Sequence, residues 1–585
     1  MKRFALGLLV TALAFMACTT EPQDPIHLRF IHTSDVHGRV LDSLERVRAY
    51  ADLCRKDLGE ENVILTDGGD VLQGHPAAYY YNFIDTASKH IVAEAMNRVD
   101  YDVAVIGNHD IETGRKVFER WIGDCRFPIL GANIIDETTG EPYLKPYEVI
   151  ERQGVRIAVL GLITPAIPNW VPKNLWQGLR FDDMLTAARH WVPIILQREK
   201  PDILVGLFHA GIDEAAGIQT DDYCENESRI VAQQVPGFDL ILYGHDHRRN
   251  MEYVRTPDGD CILAMGPTST AACLCQVDII VNKDRSGRVT DKTIEGKILS
   301  AKDMDAALQM ASDQGRPIAY ADEWFPSEKQ KVEAYMQEEV GVFDAPVHER
   351  DAFFGPSAFI DLIHDLQLEL SQGAQISFAA PLSFDATIAQ GMTHVSDMFA
   401  LYKYENLLYT MRLTGREIRD FLEMSYDLWC NTMASPDDHI MLMDYVLDGG
   451  KRLGLKNMAF NFDSAAGINY TVDASKPDGE KVSILSMEDG TPFDLDKDYL
   501  VAVNSYRGNG GGELLTRGAG IPLAELPSRV VASTEHDLRY HLIEMIREKG
   551  HVLPRARTNW RFTPDAWAPA AIARDRAILF QKMRE

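Results

Sequence analysis

Short apolar runs alternate with amphipathic stretches over residues 26–300. Six runs have the length and composition of buried strands, and three intervening segments have helical spacing of apolar residues. The predicted strands are Leu28–His32, Val63–Thr66, Val103–Ile106, Arg156–Leu160, Ile203–Phe208 and Leu240–Tyr243. The predicted helices are Ser43–Lys56, His90–Arg98 and Gly114–Trp121. Strands that alternate with helices in this way predict a layered α/β domain.

The pattern changes after residue 300. Two charged stretches, Ala301–Ser312 and Ser327–Val340, have helical character and are separated by prolines, which predicts a largely helical linker over 301–346. A second α/β domain is predicted from about 347 to 565. Its predicted helices are Ser357–Ser371, Thr414–Glu423 and Glu535–Lys549, and its predicted strands are Leu407–Leu413, Val482–Leu485 and Tyr499–Val503.

Length and composition agree with two globular domains. The chain has 585 residues, and single hydrophobic cores stop growing beyond about 250–300 residues. The formal net charge of −28 disfavours binding to duplex nucleic acid, while small phosphorylated substrates remain possible because bound cations would dominate the local field. The eight cysteines are too scattered for a disulfide framework or a zinc ribbon.

The first residues have the pattern of an export signal. Lys2 and Arg3 precede the apolar stretch Phe4–Met16, which is too short to span a bilayer. Residues 15–18 resemble a bacterial lipobox ending at Cys18, and a polar tether follows. We therefore predict a signal peptide over 1–17 and a lipid anchor at Cys18 in the cell envelope. The alternative is a plain secretory signal.

Five polar motifs follow the predicted strands of the first domain. They are Asp35-Val36-His37, Gly68-Gly69-Asp70, Gly107-Asn108-His109-Asp110, His209, and Gly244-His245-Asp246-His247. Each alone is common in turns, but the ordered set at successive strand ends indicates a ligand site. Two adjacent divalent ions need mixed oxygen and nitrogen ligands. If the strands continue, Asp35 and His37 point to one face, and so do His245 and His247.

This motif series resembles that of the calcineurin-like metallophosphoesterases over residues 26 to about 300. The resemblance implies a four-layer αββα sandwich and a site for two divalent metal ions, whether Zn, Mn, Fe or Co. One ion is expected on Asp35, His37, Asp70 and His247. The other is expected on Asp70, Asn108, His209 and His245, so that Asp70 bridges the two.

The resemblance also implies catalytic roles beside the metal ligands. His109 corresponds to a histidine that contacts the phosphate or assists the leaving oxygen. Related nucleotidases carry an Asp that pairs with this histidine, and Glu112 occupies that position here, one methylene longer. Asn108 is expected to contact substrate as well as metal.

The C-terminal half resembles the 5′-nucleotidase C-terminal domain, and more closely that of the periplasmic 2′,3′-cyclic-nucleotide 2′-phosphodiesterases. The resemblance is carried by Phe378–Leu382, Gly467–Asp473 and Tyr506–Gly512, while the Gly-Gly-Gly-Ile-Arg loop of 5′-nucleotidases is missing. It implies that Tyr404 and Tyr506 sandwich a nucleobase and that Asn406 contacts base or sugar.

Three functions follow from these features. The first is hydrolysis of 2′,3′-cyclic nucleotides and 3′-nucleotides to nucleoside and phosphate. The second is a 5′-nucleotidase that also cleaves nucleotide-sugars. The third is a nucleotide-binding lipoprotein without catalysis. The sequence leaves metal identity, base preference and oligomeric state open.

Overall fold

The structure, a computed structural model, describes residues 24–580 apart from 42, 218, 220–222, 319–323 and 448–450. The predicted signal peptide and Cys18 lie outside the described residues.

Two six-stranded mixed sheets form the N-terminal half. In spatial order, the first sheet contains Val289–Ser300, Cys273–Lys283, Ile26–Thr33, Val63–Asp67, Val103–Val105 and Ile129–Leu130. The second contains Asn250–Arg255, Cys261–Gly266, Leu240–Tyr243, Ile203–His209, Val155–Ile163 and Tyr147–Arg152. All six predicted strands are present. A separate pair joins Ile134–Asp136 and Leu179–Phe181.

Helices cover the outer face of each sheet. Leu44–Leu58 and Ile91–Val99 pack on the first sheet, and Met184–Arg198 and Ser228–Gln234 pack on the second. The inner faces of the two sheets share one apolar core. The predicted four-layer αββα sandwich is confirmed. The remaining helices of this half are Pro76–Tyr79, Asn108–Glu112 and Arg115–Asp124, with a π-helical turn at Tyr80–Ile84 and 3₁₀ turns at Glu60–Asn62, Ile167–Asn169 and Lys173–Leu175.

Register brings several strand ends to the same level. In the first sheet Thr33 pairs with Asp67, and Asp67 pairs with Ala104. In the second sheet Ile163 pairs with His209. Because these strands are parallel, the loops that carry the polar motifs leave each sheet at its carboxyl edge.

The region after residue 300 is less helical than predicted. The helices are Ala301–Asp313 and Pro326–Met336, and the second ends before Val340, where the prediction extended it. Glu339–Phe343 is instead a strand that pairs with Gly391–His394 and His551–Val552. The apolar side chains of Val340 and Phe343 pack in the C-terminal core, which decides the conformation.

The C-terminal half is a mixed α/β assembly. Its five-stranded sheet contains Ser464–Ala466, Ile376–Ala379, Asp498–Asn504, Leu408–Thr414 and Val530–Ser533. A three-stranded sheet contains Val482–Met487, Ile468–Asp473 and Trp560–Thr563, and two strand pairs are Val347–His348 with Thr387–Ile388 and Met443–Leu447 with Arg452–Leu455.

The helices of the C-terminal half pack around these sheets. They are Ala358–Leu370, Val395–Leu401, Gly415–Trp429, Ser505–Gly508, Leu526–Arg529, Leu538–Lys549 and Ala568–Leu579. Short 3₁₀ turns lie at Glu349–Phe353, Ala459–Asn461, Gly511–Glu513 and Leu523–Glu525, with a π-helical turn at Leu514–Gly518. No helix within the described ranges has the length and apolar character needed to cross a membrane.

The shared core between the two N-terminal sheets generates a stability prediction. Leu207 is fully buried there, so Leu207→Ala is expected to lower the free energy of unfolding by about 2–5 kcal/mol. Leu485→Ala is the matched control, because Leu485 is 62% exposed. Denaturant unfolding followed by circular dichroism measures both, and equal effects of the two variants would contradict this packing.

Candidate active site

Seven side chains from the predicted motifs converge where the two N-terminal sheets meet. Ligand-type atoms of Asp35, His37 and His247 lie within 4.8 Å of one another, as do those of Asp70, His209 and His245. Asn108 Oδ1 lies 2.9 Å from both His209 Nε2 and His245 Nδ1. The His37 and His247 Nε2 atoms are also 2.9 Å apart. The structure thus brings all seven predicted ligands together.

The local geometry differs from the prediction for the first and last motifs. The strands do not continue through them: one ends at Thr33 and the other at Tyr243. Five of the seven residues instead adopt left-handed backbone conformations, with φ between 50° and 81°: Asp35, His37, Asp70, His245 and His247. Tight turns, rather than strand alternation, aim these side chains at one point.

Hydrogen bonds fix which nitrogen of three histidines faces the centre. His209 Nδ1 donates to Gly68 O at 2.6 Å, and His37 Nδ1 donates to Gln73 O at 3.2 Å. His245 Nε2 donates to Glu225 Oε1 at 3.0 Å. When each of these imidazoles is neutral, its other nitrogen presents a lone pair to the centre.

The converging atoms form a donor set that suits divalent cations. Carboxylate oxygens, an amide oxygen and imidazole lone pairs all carry partial or full negative charge, and they repel one another unless imidazole protons or metal cations lie between them. Burial lowers the pKa of His37 to about 4, which keeps this imidazole neutral. The buried carboxylate of Asp70 lies close to histidines of both clusters. Its charge acts on His37, and its Oδ2 atom is 3.2 Å from His209 Nε2.

His109 and Glu112 form a hydrogen-bonded pair at the edge of this cluster. His109 Nδ1 lies 2.7 Å from Glu112 Oε2, so the longer glutamate reaches the ring. Burial opposes the charged imidazole, but the Asp70 charge and the Glu112 hydrogen bond outweigh it and raise the pKa of His109 to about 10. Glu112 therefore orients the His109 ring through Nδ1.

A cavity of about 570 Å³ opens beside this cluster and is lined by both halves of the chain. Asn108, His109 and His245 line its N-terminal side. The C-terminal half contributes the predicted substrate residues Tyr404, Asn406 and Tyr506. Its volume is within the range of small-molecule sites.

Three aromatic rings line the C-terminal side of the cavity. Phe460 stands edge-on to Tyr404 and to Tyr506, with centroid distances of 6.3 Å and interplanar angles of 82° and 87°. Phe460 was not among the predicted residues, because it lies in a short turn without a recognisable motif. The three rings are called the aromatic clamp below.

Sequence comparisons agree with this geometry. A calcineurin-like phosphoesterase profile matches residues 28–249, which include all seven converging residues. A 5′-nucleotidase C-terminal domain profile matches residues 339–517, which include the aromatic clamp. The chain is a calcineurin-like phosphoesterase with a 5′-nucleotidase C-terminal domain.

Relatives of this phosphoesterase match most of its length. It is 26% identical to the trifunctional nucleotide phosphoesterase YfkN of Bacillus subtilis, over 92% of this chain but only 39% of YfkN. It is 24% identical to the 2′,3′-cyclic-nucleotide 2′-phosphodiesterase/3′-nucleotidase of Yersinia enterocolitica, over 96% of this chain and 91% of that protein. A Staphylococcus aureus structure described as a candidate 5′-nucleotidase superposes with a TM-score of 0.69 at 19% identity, covering 92% and 99% of the chains.

Asp110 is a residue of this phosphoesterase whose role the sequence did not reveal. Its fully buried carboxylate accepts four backbone N–H bonds of 2.8–2.9 Å, from Gly107, Asp70, Val71 and Leu72. Burial, together with the Asp70 charge, raises the pKa of Asp110 to about 6. Asp110 therefore ties the loop that carries Asp70 to the loop that carries Asn108.

Two glycines are required where these loops approach other side chains. A Cβ atom on Gly107 would lie 2.1 Å from Asp70 Oδ1. A Cβ atom on Gly244 would lie 1.8 Å from Ser34 Oγ, which itself donates to Asp35 Oδ2. Gly107 and Gly244 therefore leave room for neighbouring protein side chains, and not only for a ligand.

Asp110→Asn is expected to weaken divalent-cation binding about 10- to 100-fold, because an amide oxygen and an NH₂ group cannot replace four accepted hydrogen bonds. Isothermal titration of metal-stripped protein with Mn²⁺ measures the change. Asp284→Asn, in a surface turn, is the matched control. Unchanged affinity in folded Asp110→Asn protein would show that Asp110 does not organise the centre.

Proposed function

We propose that this phosphoesterase hydrolyses 2′,3′-cyclic nucleotides and 3′-nucleotides to nucleoside and phosphate. The observation that carries the proposal is the single cavity shared by the aromatic clamp and the candidate metal residues. A nucleoside phosphate has two parts, a flat base and an anionic ester, and the two ends of this cavity match them chemically.

The aromatic clamp supports base binding. Stacking of a base on aromatic side chains contributes about 1–3 kcal/mol and tolerates different bases. Tyr404 and Tyr506 are both half-buried at the cavity, so their rings remain available to a ligand. Asn406 adds a buried amide at the same wall, suited to hydrogen bonding with base or sugar.

The seven converging residues are proposed to hold two divalent cations. Asp35, His37, Asp70 and His247 would hold one, and Asp70, Asn108, His209 and His245 would hold the other. Bound cations of this kind neutralise phosphate oxygens and increase the acidity of water. The donor set suits Zn, Mn, Fe or Co.

His109 is proposed to act on the leaving oxygen. Its ring is held by Glu112 through Nδ1, which leaves Nε2 free to carry a proton toward the cavity. Water adds to phosphorus, the bond to the ribose oxygen breaks, and that oxygen takes the proton. Applied to a cyclic diester and then to the resulting 3′-monoester, the same site releases nucleoside and phosphate.

A 5′-nucleotidase activity is the second candidate, favoured by relatives such as the Vibrio cholerae 5′-nucleotidase, which is 27% identical over 36% of this chain. Among the described residues that line the cavity, however, none is lysine or arginine. Beyond the proposed metals and His109, the cavity thus offers no lysine or arginine for a second phosphate of a nucleotide-sugar. This disfavours nucleotide-sugars, whereas 5′-mononucleotides, which have one phosphate group, are left to the rate comparison.

The substrate assignment predicts metal-dependent phosphate release from 2′,3′-cyclic AMP and 3′-AMP, with much slower release from 5′-AMP. Asp70→Asn is expected to reduce all rates by about 100-fold or more, since a shared ligand to both cations is lost. Colorimetric phosphate assays on metal-reconstituted protein measure these rates.

Asp284→Asn again serves as the control in this assay and is expected to retain full activity. Dominant turnover of 5′-AMP would replace the first function by the second. Binding of nucleotide without hydrolysis in any metal would favour the non-catalytic lipoprotein.

We further propose that the enzyme is exported and anchored through lipid on Cys18. The positive start, the apolar stretch and the lipobox-like residues before Cys18 support this proposal. In a Gram-negative host, Cys18→Ala is expected to move the protein from the membrane fraction to the soluble periplasmic fraction. Fractionation with an immunoblot measures the shift, and an unchanged membrane fraction would exclude this anchor.

A further inference from the structure

The aromatic clamp depends on two irregular segments for its spacing. Phe460 lies in the 3₁₀ turn Ala459–Asn461, and Tyr506 lies in the short helix Ser505–Gly508 that leads into the glycines 510–512. Neither ring is on a sheet strand, so sheet hydrogen bonds do not hold the two rings directly. Side-chain contacts between the two segments therefore contribute to their spacing.

Arg507 makes the contacts that connect these segments. Its NH2 group donates to Phe460 O at 2.7 Å, and its NH1 group donates to Asn461 Oδ1 at 3.1 Å. NH1 also donates to Gly511 O at 2.5 Å. The guanidinium carbon lies 5.5 Å from the centroid of the Tyr506 ring. One side chain thus touches both segments.

The Arg507 side chain is fixed by burial and charge. It is 1% exposed, and NH2 lies 2.6 Å from Asp463 Oδ2, which is equally buried. A planar guanidinium donates in several fixed directions at once, which a lysine ammonium on a flexible stem cannot reproduce. The pair with Asp463 neutralises the charge, so the cavity gains no cation from Arg507.

The glycines that follow Tyr506 are explained by the same contacts. A Cβ atom on Gly511 would lie 2.6 Å from the Tyr506 ring. One on Gly512 would lie 2.1 Å from Arg507 NH1 and 2.3 Å from Asn461 Oδ1. The sequence pattern Tyr-Arg-Gly-Asn-Gly-Gly-Gly therefore lets the chain wrap around the guanidinium.

We propose that Arg507 is a positioning residue that fixes Phe460 relative to Tyr506 and so sets the affinity of the clamp for a nucleobase. Arg507 is not proposed to touch a reacting atom. Its N–H groups donate to oxygens of Phe460, Asn461 and Gly511, in the two segments that carry Phe460 and Tyr506. The proposal rests on the proposed function only in assuming that the clamp binds a base, whichever phosphate ester is the substrate.

The experiment separates base binding from phosphate chemistry. Bis(p-nitrophenyl) phosphate carries no nucleobase, and adenosine carries no phosphate. Adenosine is therefore used as an inhibitor of aryl-ester hydrolysis by metal-reconstituted enzyme. For Arg507→Lys we expect the inhibition constant of adenosine to rise roughly tenfold, which corresponds to about 1.4 kcal/mol of lost binding free energy. The kcat and KM for the aryl ester are expected to change less than about twofold.

Two further variants keep this test decisive. Arg416→Lys is the matched control, because Arg416 forms only an exposed ion pair with Asp496, and it should leave both readouts unchanged. Gly512→Ala displaces the guanidinium without removing its charge and should raise the adenosine inhibition constant as Arg507→Lys does. If Arg507→Lys fails to fold, as judged by circular dichroism, Gly512→Ala decides.

The outcomes distinguish this proposal from the proposed function. Lack of inhibition of the unmodified enzyme by adenosine would overturn the base clamp and with it the nucleotide assignment. Normal inhibition of the unmodified enzyme, with an unchanged inhibition constant in the folded variants, would overturn the role of Arg507 alone. A parallel loss of aryl-ester kcat would also overturn it, since that would indicate general damage.

Discussion

Mutual repulsion among the acceptor atoms at the edge of the two N-terminal sheets is the constraint on which the rest of the site depends. Carboxylates, an amide and imidazoles meet there within hydrogen-bond distances, with their donors turned outward to Gly68 O, Gln73 O and Glu225. Such a cluster is stabilised by metal cations, by protons on the histidines next to Asp35 and Asp70, and by hydrogen bonds from the surrounding chain. The site combines a set of ligand atoms suited to divalent metals with loops that are held by buried hydrogen bonds.

The backbone of the converging residues is strained. Five of the seven converging residues are non-glycine residues in the left-handed region, each costing about 1–3 kcal/mol. That cost is tolerated because neighbouring groups over-determine the turns. Asp110 accepts four N–H bonds from the two central loops, and Asp35 accepts from both Ser34 Oγ and His245 N. The buried hydrogen bonds therefore offset the local backbone strain.

The sequence predicted the features that local pattern encodes. Short apolar runs followed by polar clusters predicted the strands and a ligand site at their ends, because parallel strands end at one edge. The particular seven residues were implied by the resemblance to the calcineurin-like metallophosphoesterases. The sequence pattern failed where distant packing decides. Val340 lies at a bulge in a strand of a C-terminal sheet instead of extending a helix, and Asp35 and His37 turn instead of continuing a strand. Phe460 has no local signal either, since its importance comes from two tyrosines far away in the chain.

In each half of the molecule, one buried charged side chain holds together the loops or turns that form the site. In the N-terminal half one buried anion, Asp110, gathers backbone N–H groups and fixes loops that present acceptors. In the C-terminal half one buried cation, Arg507, gathers oxygens and fixes turns that present rings. Asn509, two residues after Arg507, donates to Trp170 O at 2.9 Å and so connects the segment that follows Tyr506 to the N-terminal half. The Trp170 ring centroid lies 5.6 Å from that of His245, so a continuous series of contacts runs from Asn509 to the candidate metal-binding residues.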